Sequence, residues 1–217
     1  MSQLTFKFPF KTNYFEEDFY VSSNNFEAYK LIESWPKWSS RYINIYGPSG
    51  CGKTHLANIF KKKINSFFIK ASDLSDNLLP LIKLKECLII DEYQSNIEEK
   101  LFYSILNQCH QSNQYIIVNS SKPIKNFKVE LNDLKSRFDS FINIGIDLPT
   151  DDLIRVILSK NFSDKQVKID AKLLEYILKN IHRSYENIFD LIDKLDSLSL
   201  STGKSININL IKKVLNK

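Results

Sequence analysis

Three of the chain's five glycines fall inside one stretch, Gly47-Pro48-Ser49-Gly50-Cys51-Gly52-Lys53-Thr54. No other feature narrows the possible folds so far. The spacing is G-x-x-x-x-G-K-[ST] in full, the pattern of a phosphate-cradling loop. Residues without a Cβ let successive backbone N–H groups converge on phosphate oxygens. A helix leaving such a loop points its positive end at the same oxygens. In this pattern Lys53 reaches the β- and γ-phosphates and the Thr54 hydroxyl is a ligand for Mg²⁺, with His55 next in line on the helix. The required context is present, since 41–46 (RYINIY) reads as a strand and 53–64 as a helix. A nucleotide, ADP or ATP with Mg²⁺, is therefore the expected ligand.

A second motif supports the first. Cys87-Leu88-Ile89-Ile90-Asp91-Glu92 is an apolar run ending in two carboxylates, as expected of a strand buried on both faces. Asp91 is placed to hold Mg²⁺ and Glu92 to polarise a water. A further strand, 67–71, lies between the motifs, which points to the additional-strand ATPases rather than the small nucleotide kinases.

The remaining pattern alternates strands with helices: a helix over 25–34, a helix over 97–111, a strand over 115–119, a short helix over 131–138 and a strand over 141–146. Ser72 and Asp73 read as N-caps of a short helix that Pro80 interrupts. The expectation is an α/β fold, a parallel sheet flanked by helices. After Pro149 only helices follow, over 152–160, 170–181, 184–198 and 207–215. Three regions result: a tail over 1–12, an α/β core over 13–149 and a small all-helical domain over 150–217.

Composition sets outer limits. With 217 residues, 43% of them hydrophobic, the chain can bury a substantial core. No apolar run approaches the ~20 residues of a membrane span, and the N-terminus lacks a signal-peptide layout, so a cytoplasmic protein without membrane partners is expected. Three separated cysteines, Cys51, Cys87 and Cys109, fit a reducing compartment. The net charge of +5 is compatible with nucleic acid but does not demand it. Only four arginines occur, Arg41, Arg137, Arg155 and Arg183, and the lysines around them cannot reproduce a rigid, always-charged guanidinium fork.

With these motifs in place the whole chain resembles the AAA+ domain of the bacterial initiator DnaA. It resembles more closely the shorter Hda (HdaA) family, the regulatory inactivators of DnaA. The resemblance implies an AAA+ P-loop core followed by a helical lid. Asp18-Phe19-Tyr20-Val21-Ser22-Ser23-Asn24-Asn25 is similar to the stretch that encloses adenine, with Val21 and Asn25 as neighbours of the base; an aromatic cluster packing on the core is the alternative. Asn119-Ser120-Ser121-Lys122-Pro123 takes the sensor 1 place. Family members often carry an acid there, and Ser121 stands at the matching position. Leu131-Asn132-Asp133-Leu134-Lys135-Ser136-Arg137-Phe138 resembles box VII, which makes Arg137 the arginine finger acting on a neighbour's phosphate, or else a helix-capping residue. In His182-Arg183-Ser184-Tyr185-Glu186-Asn187, Glu186 takes the position of the sensor 2 arginine, with Arg183 nearby as its substitute.

Trp35-Pro36-Lys37-Trp38 is reminiscent of the alphaproteobacterial branch. Gln3-Leu4-Thr5-Phe6-Lys7-Phe8 resembles the sliding-clamp-binding peptide of Hda, with Gln3, Leu4, Phe6 and Phe8 as its contacts. The chain is read as ending after the lid, without DnaA's helix-turn-helix domain. The function implied is negative regulation of replication initiation: bound to the clamp, and through it indirectly to DNA, the protein would stimulate hydrolysis of DnaA-bound ATP. Its own turnover would be weak. An autonomous ATPase of helicase-loader type, or a non-catalytic adaptor at the origin, are the alternatives, and homo-oligomers stay open.

Overall fold

The computed structural model describes residues 14–95, 97–167, 169–203 and 205–215. These form two compact units, one over 14–147 and one within 148–215. The expected clamp contacts Gln3, Leu4, Phe6 and Phe8 lie outside the described residues.

The first unit is built on five strands: β1 (Tyr42–Tyr46), β2 (Ser66–Lys70), β3 (Cys87–Tyr93), β4 (Tyr115–Ser120) and β5 (Ile142–Gly145). All neighbours pair in parallel in the order β2-β3-β4-β1-β5. Parallel strands require crossovers, and those crossovers hold α2 (Lys53–Lys61), α3 (Leu79–Lys83), α4 (Glu99–Gln111) and α5 (Asn132–Asp139), with α1 (Phe26–Glu33) preceding β1. Burial on both faces explains the unbroken apolar runs: Cys87, Leu88, Ile89 and Ile90 are each fully inaccessible to solvent. β4 lies between β1 and β3, so the glycine loop and Asp91 leave the same sheet edge from strands that are not adjacent. Ligands of open α/β sheets bind outside such carboxyl ends.

One polar residue sits in the centre of this sheet. Asn44 on β1 is fully buried; its amide donates to Val118 O and Ser120 Oγ and accepts from Ile124 N, each at 2.8 Å. A buried amide left unsatisfied would cost ~1–3 kcal/mol. Satisfied, it pins the end of β4 and the turn beyond it to the strand that carries the glycine loop.

Several boundaries differ from the sequence reading, for physical reasons. Pro80 does not interrupt a helix. It stands in the first turn of α3, where a missing N–H is harmless. Ser72 and Asp73 lie inside a 3₁₀ turn, Ala71–Asp73, and cap nothing. α2 stops at Lys61 instead of running to 64, because Ile64 is buried in the turn that enters β2. β3 continues past Asp91 to Tyr93, with a register shift against β4 between Ile90 and Tyr93.

The second unit is helical: α6 (Asp151–Asp164), α7 (Ala171–Asn180), α8 (Tyr185–Thr202) and α9 (Ile208–Val214). Each helix begins at a residue whose side chain accepts a first-turn N–H: Thr150 from Leu153, Asp170 from Leu173, Ser184 from Asn187 and Asn207 from Leu210. Gly203, at φ 64°, ends α8 in the left-handed conformation that favours glycine. Ile154, Leu158, Phe162, Ile177, Ile188, Leu195 and Ile211 form its own core. No described helix is long and apolar enough to cross a membrane.

Candidate functional site

The glycine loop leaves β1 with its first N–H already committed, as Gly47 donates to Ser120 O at 3.2 Å. Its φ of 158° is extended backbone, but a Cβ there would lie 2.5 Å from Ile146 O, so only glycine fits between the strand ends. Gly52, at φ 99°, is left-handed, and a Cβ on it would meet the Phe19 ring at 3.0 Å. The Lys53 ammonium donates to Gly47 O and Pro48 O, both at 2.8 Å, and lies 3.6 Å from Cys51 Sγ. The lysine thus sits over the loop where phosphate oxygens would be held. Burial raises the Cys51 thiol above its ordinary pKa against the pull of Lys53, so this cysteine is a packed thiol and not a thiolate.

Asp91 is 2% exposed, yet both of its oxygens are engaged: Oδ2 accepts from Thr54 Oγ1 and Oδ1 from Asn119 Nδ2, each at 2.8 Å. A carboxylate can only accept, so the amide nitrogen of Asn119 must face it and Asn119 Oδ1 must face away. That oxygen is buried and has no hydrogen-bond partner among the described residues. A buried acceptor of this kind calls for a donor such as a bound water. Hydroxyl, carboxylate and orphaned carbonyl together suit Mg²⁺, which takes few protein oxygens and completes its shell with water and phosphate. Thr54 and Asp91 would hold the ion, and when bound it neutralises charge shared by the β- and γ-phosphates. Among the described residues no three His, Cys, Asp or Glu side chains cluster as an all-protein metal cage.

The stretch 119–123, expected at the sensor 1 place with Ser121 as its nucleotide-site residue, begins here at the end of β4. The structure places Ser121 exposed, beyond the last residue of β4, and Asn119 is the one that touches Asp91. Because β4 is buried on both faces, alternation could not tell which polar residue at its end turns toward β3.

Glu92 has a positive φ of 58°, uncommon for a non-glycine residue, at the irregularity in β3. The twist turns its carboxylate toward β2, where Lys70 Nζ bonds both oxygens at 2.9 Å. Glu92 in turn raises the Lys70 pKa by hydrogen bonding and charge. Both side chains are more than half exposed, so the pair is weak, but it occupies the carboxylate expected to polarise water. Lys70 was not anticipated, since nothing in the sequence marks a lysine at the end of β2.

On the other side of the loop the segment over 14–25 lies against α2. His55 Nε2 meets Phe15 O at 2.6 Å, and its ring stands edge-on to Tyr14 and Phe19, both 5.3 Å away. Val21 is half-buried in a turn that Asn25 organises: Asn25 accepts from Ser22 N at 2.8 Å and donates to Tyr20 O at 2.9 Å. The Asn25 amide thus gives one N–H and one oxygen lone pair to its own turn. Asn24 anchors that turn past β5, donating to Asp147 O at 3.2 Å and accepting from Asp147 N at 3.0 Å.

The arginines are held in different ways. Arg41 lies over the Tyr115 ring and bonds Asn113 O. Arg155 pairs with Glu175. Arg183 pairs with Asp151, inside the helical unit, at 2.7 and 3.2 Å; the contact raises the arginine's pKa and lowers the aspartate's. Glu186 is exposed on α8. Arg137, half-buried on α5, donates from Nε at 3.1 Å and Nη2 at 2.8 Å to one neutral acceptor, Asn107 Oδ1 on α4. Its side chain does not cap α5, whose last turn is closed by Ser140 Oγ and N bonding to Arg137 O.

A β2-β3-β4-β1-β5 parallel sheet with a glycine loop after β1, a buried aspartate on β3 and a polar sensor on β4 defines an AAA+ P-loop protein. Known proteins agree. Residues 151–215 match the family model of the Hda lid domain, and 43–130 match a model described as RNA helicase. The initiator DnaA of Buchnera aphidicola subsp. Baizongia pistaciae is 27% identical over 99% of this chain and 53% of its own length. Domain III of Thermotoga maritima DnaA superposes with a TM-score of 0.77 at 21% identity, covering 96% of this chain and 98% of that one. AMPPCP-bound DnaA from Aquifex aeolicus gives 0.69 at 25% identity, over 88% and 67%. The chain spans about half the length of the curated relatives it matches. The chain is thus similar to the AAA+ region of DnaA, and its residues 151–215 are similar to the Hda lid domain.

Proposed function

We propose that this protein is a negative regulator of replication initiation that stimulates hydrolysis of ATP bound to the DnaA initiator. Arg137 would act in trans as the arginine finger. The observation that carries this reading is the state of Arg137: among the described residues it is the arginine held by a neutral amide, with neither a carboxylate to cancel its charge nor a ring over its face. A guanidinium so placed can offer its fork to a phosphate developing charge. Capture of Glu92 by Lys70 supports weak turnover in cis, since the carboxylate that would orient water is already paired. The protein's own ADP or ATP, held with Mg²⁺ at Lys53, Thr54 and Asp91, would set its conformation or its assembly with itself or DnaA. Gln3, Leu4, Phe6 and Phe8 would tether it to the sliding clamp, and the clamp would bring it to DNA.

The test is hydrolysis of DnaA-bound ATP with clamp loaded on DNA, with and without this protein. Wild type should accelerate turnover, and Arg137→Ala should lose on the order of 10³-fold of that stimulation, while its nucleotide affinity stays unchanged. Full stimulation by the alanine form would remove Arg137 from the mechanism. Rapid turnover by this protein alone would favour the autonomous ATPase.

A further inference from the structure

α4 holds α5 at two points. At the helix start, the Glu99 carboxylate accepts from Glu130 N at 2.9 and 3.0 Å and from Leu131 N at 2.7 Å. Two turns further along α4, Asn107 Oδ1 receives the Nε and Nη2 protons of Arg137. A guanidinium has five N–H donors in a rigid plane. Binding its Nε–Nη2 edge to one oxygen fixes that plane and leaves the end-on fork, Nη1 and the second proton of Nη2, without a partner among the described residues.

We infer that Asn107 is a positioning residue for the Arg137 guanidinium, and that its neutrality is as important as its geometry. The inference rests on the proposed trans action of Arg137. A carboxylate at 107 would hold the same edge more tightly, as charge-assisted pairs do. It would also cancel the positive charge that the developing phosphate charge requires, and compete with that phosphate for the fork. An amide orients the guanidinium and leaves its charge intact. Asn107 is half-buried and lines an open polar groove of about 550 Å³ with Lys83, Tyr103 and Gln108, so its surroundings tolerate an isosteric acid.

Asn107→Ala removes the orientation and Asn107→Asp keeps it but removes the net charge. Both are compared with wild type and Arg137→Ala for melting temperature, for the maximal stimulated rate of DnaA-ATP hydrolysis, and for the concentration giving half of it. The alanine form should lose roughly 10- to 100-fold in maximal rate, the scale of a displaced catalytic group. The half-saturating concentration should move little, because the interaction is realised in the transition state. The aspartate form should fall comparably in rate while melting within about 3 °C of wild type, its ion pair with Arg137 offsetting an acid in the second half of a helix. A merely structural role for Asn107 predicts the opposite, an aspartate form that is both stable and fully stimulating; that result overturns the inference. Full stimulation by Asn107→Ala beside an inactive Arg137→Ala also overturns it and leaves the finger standing. Full stimulation by Arg137→Ala overturns both.

Discussion

Lys53 shows how much of the site a single residue can carry. Its ammonium bonds two carbonyls of its own loop, so its charge is fixed where the loop's glycines converge. A charge-assisted bond to phosphate from this position is worth about 1.5–3 kcal/mol. Lys53→Ala should therefore weaken ADP binding by roughly 10- to 150-fold, measured by calorimetry; unchanged affinity would contradict the phosphate-loop reading. The positions of Gly47, Lys53, Thr54 and Asp91 were legible because each chemistry tolerates few residue types at one spacing. Asn119, Lys70 and Asn107 were not legible. Their roles come from facing a partner far away in sequence, Asp91, Glu92 and Arg137, and no local pattern encodes that. Ser121 and Asn119 lie two residues apart at the end of β4, and no local pattern marks Asn119 as the one that bonds Asp91.

At the scale of elements, strands buried on both faces advertise themselves by apolar runs, and the strands and major helices were readable for that reason. Their ends were less so. Ile64 continues the apolar stripe of α2 but is buried by a turn, and Pro80 reads as a breaker though it opens α3. Asn44 is a fully buried polar residue inside a strand, which sequence periodicity would count as an error. Its three hydrogen bonds join β1, β4 and the turn at Ile124. Asn44→Leu should cost about 2–3 kcal/mol, lowering the melting temperature by roughly 4–12 °C. Ile124 N retains a second acceptor, Asn143 Oδ1 at 3.1 Å, which keeps the loss below that of a fully orphaned turn. A variant as stable as wild type would show that this amide network is neutral to folding. Nucleotide affinity reports separately whether the network also sets the loop that follows β1.

For the whole molecule, the proposal separates two tasks, reaching DnaA-bound ATP and acting on it. Arg137 and its amide support belong to the second. The proposed clamp-binding residues over 3–8 would belong to the first, and their effect would be one of concentration. A tether that joins the protein to a clamp already on DNA raises its effective concentration near the initiator, worth 10²–10⁴ in apparent affinity without any new contact. Replacing Gln3 and Leu4 together by Ala should abolish clamp binding and leave melting temperature and nucleotide affinity unchanged. Stimulation of DnaA-ATP hydrolysis should be lost at low protein concentration and return as concentration rises by about two orders of magnitude. Arg137→Ala should show no such recovery, because more copies of a protein without the guanidinium supply none. A titration of both variants against one fixed amount of DnaA-ATP reads this difference directly. If the Gln3/Leu4 variant stays inactive at the highest concentration, the peptide does more than tether, and the separation of reach from chemistry is wrong. If it is active at the lowest, the clamp is not how this protein finds its target.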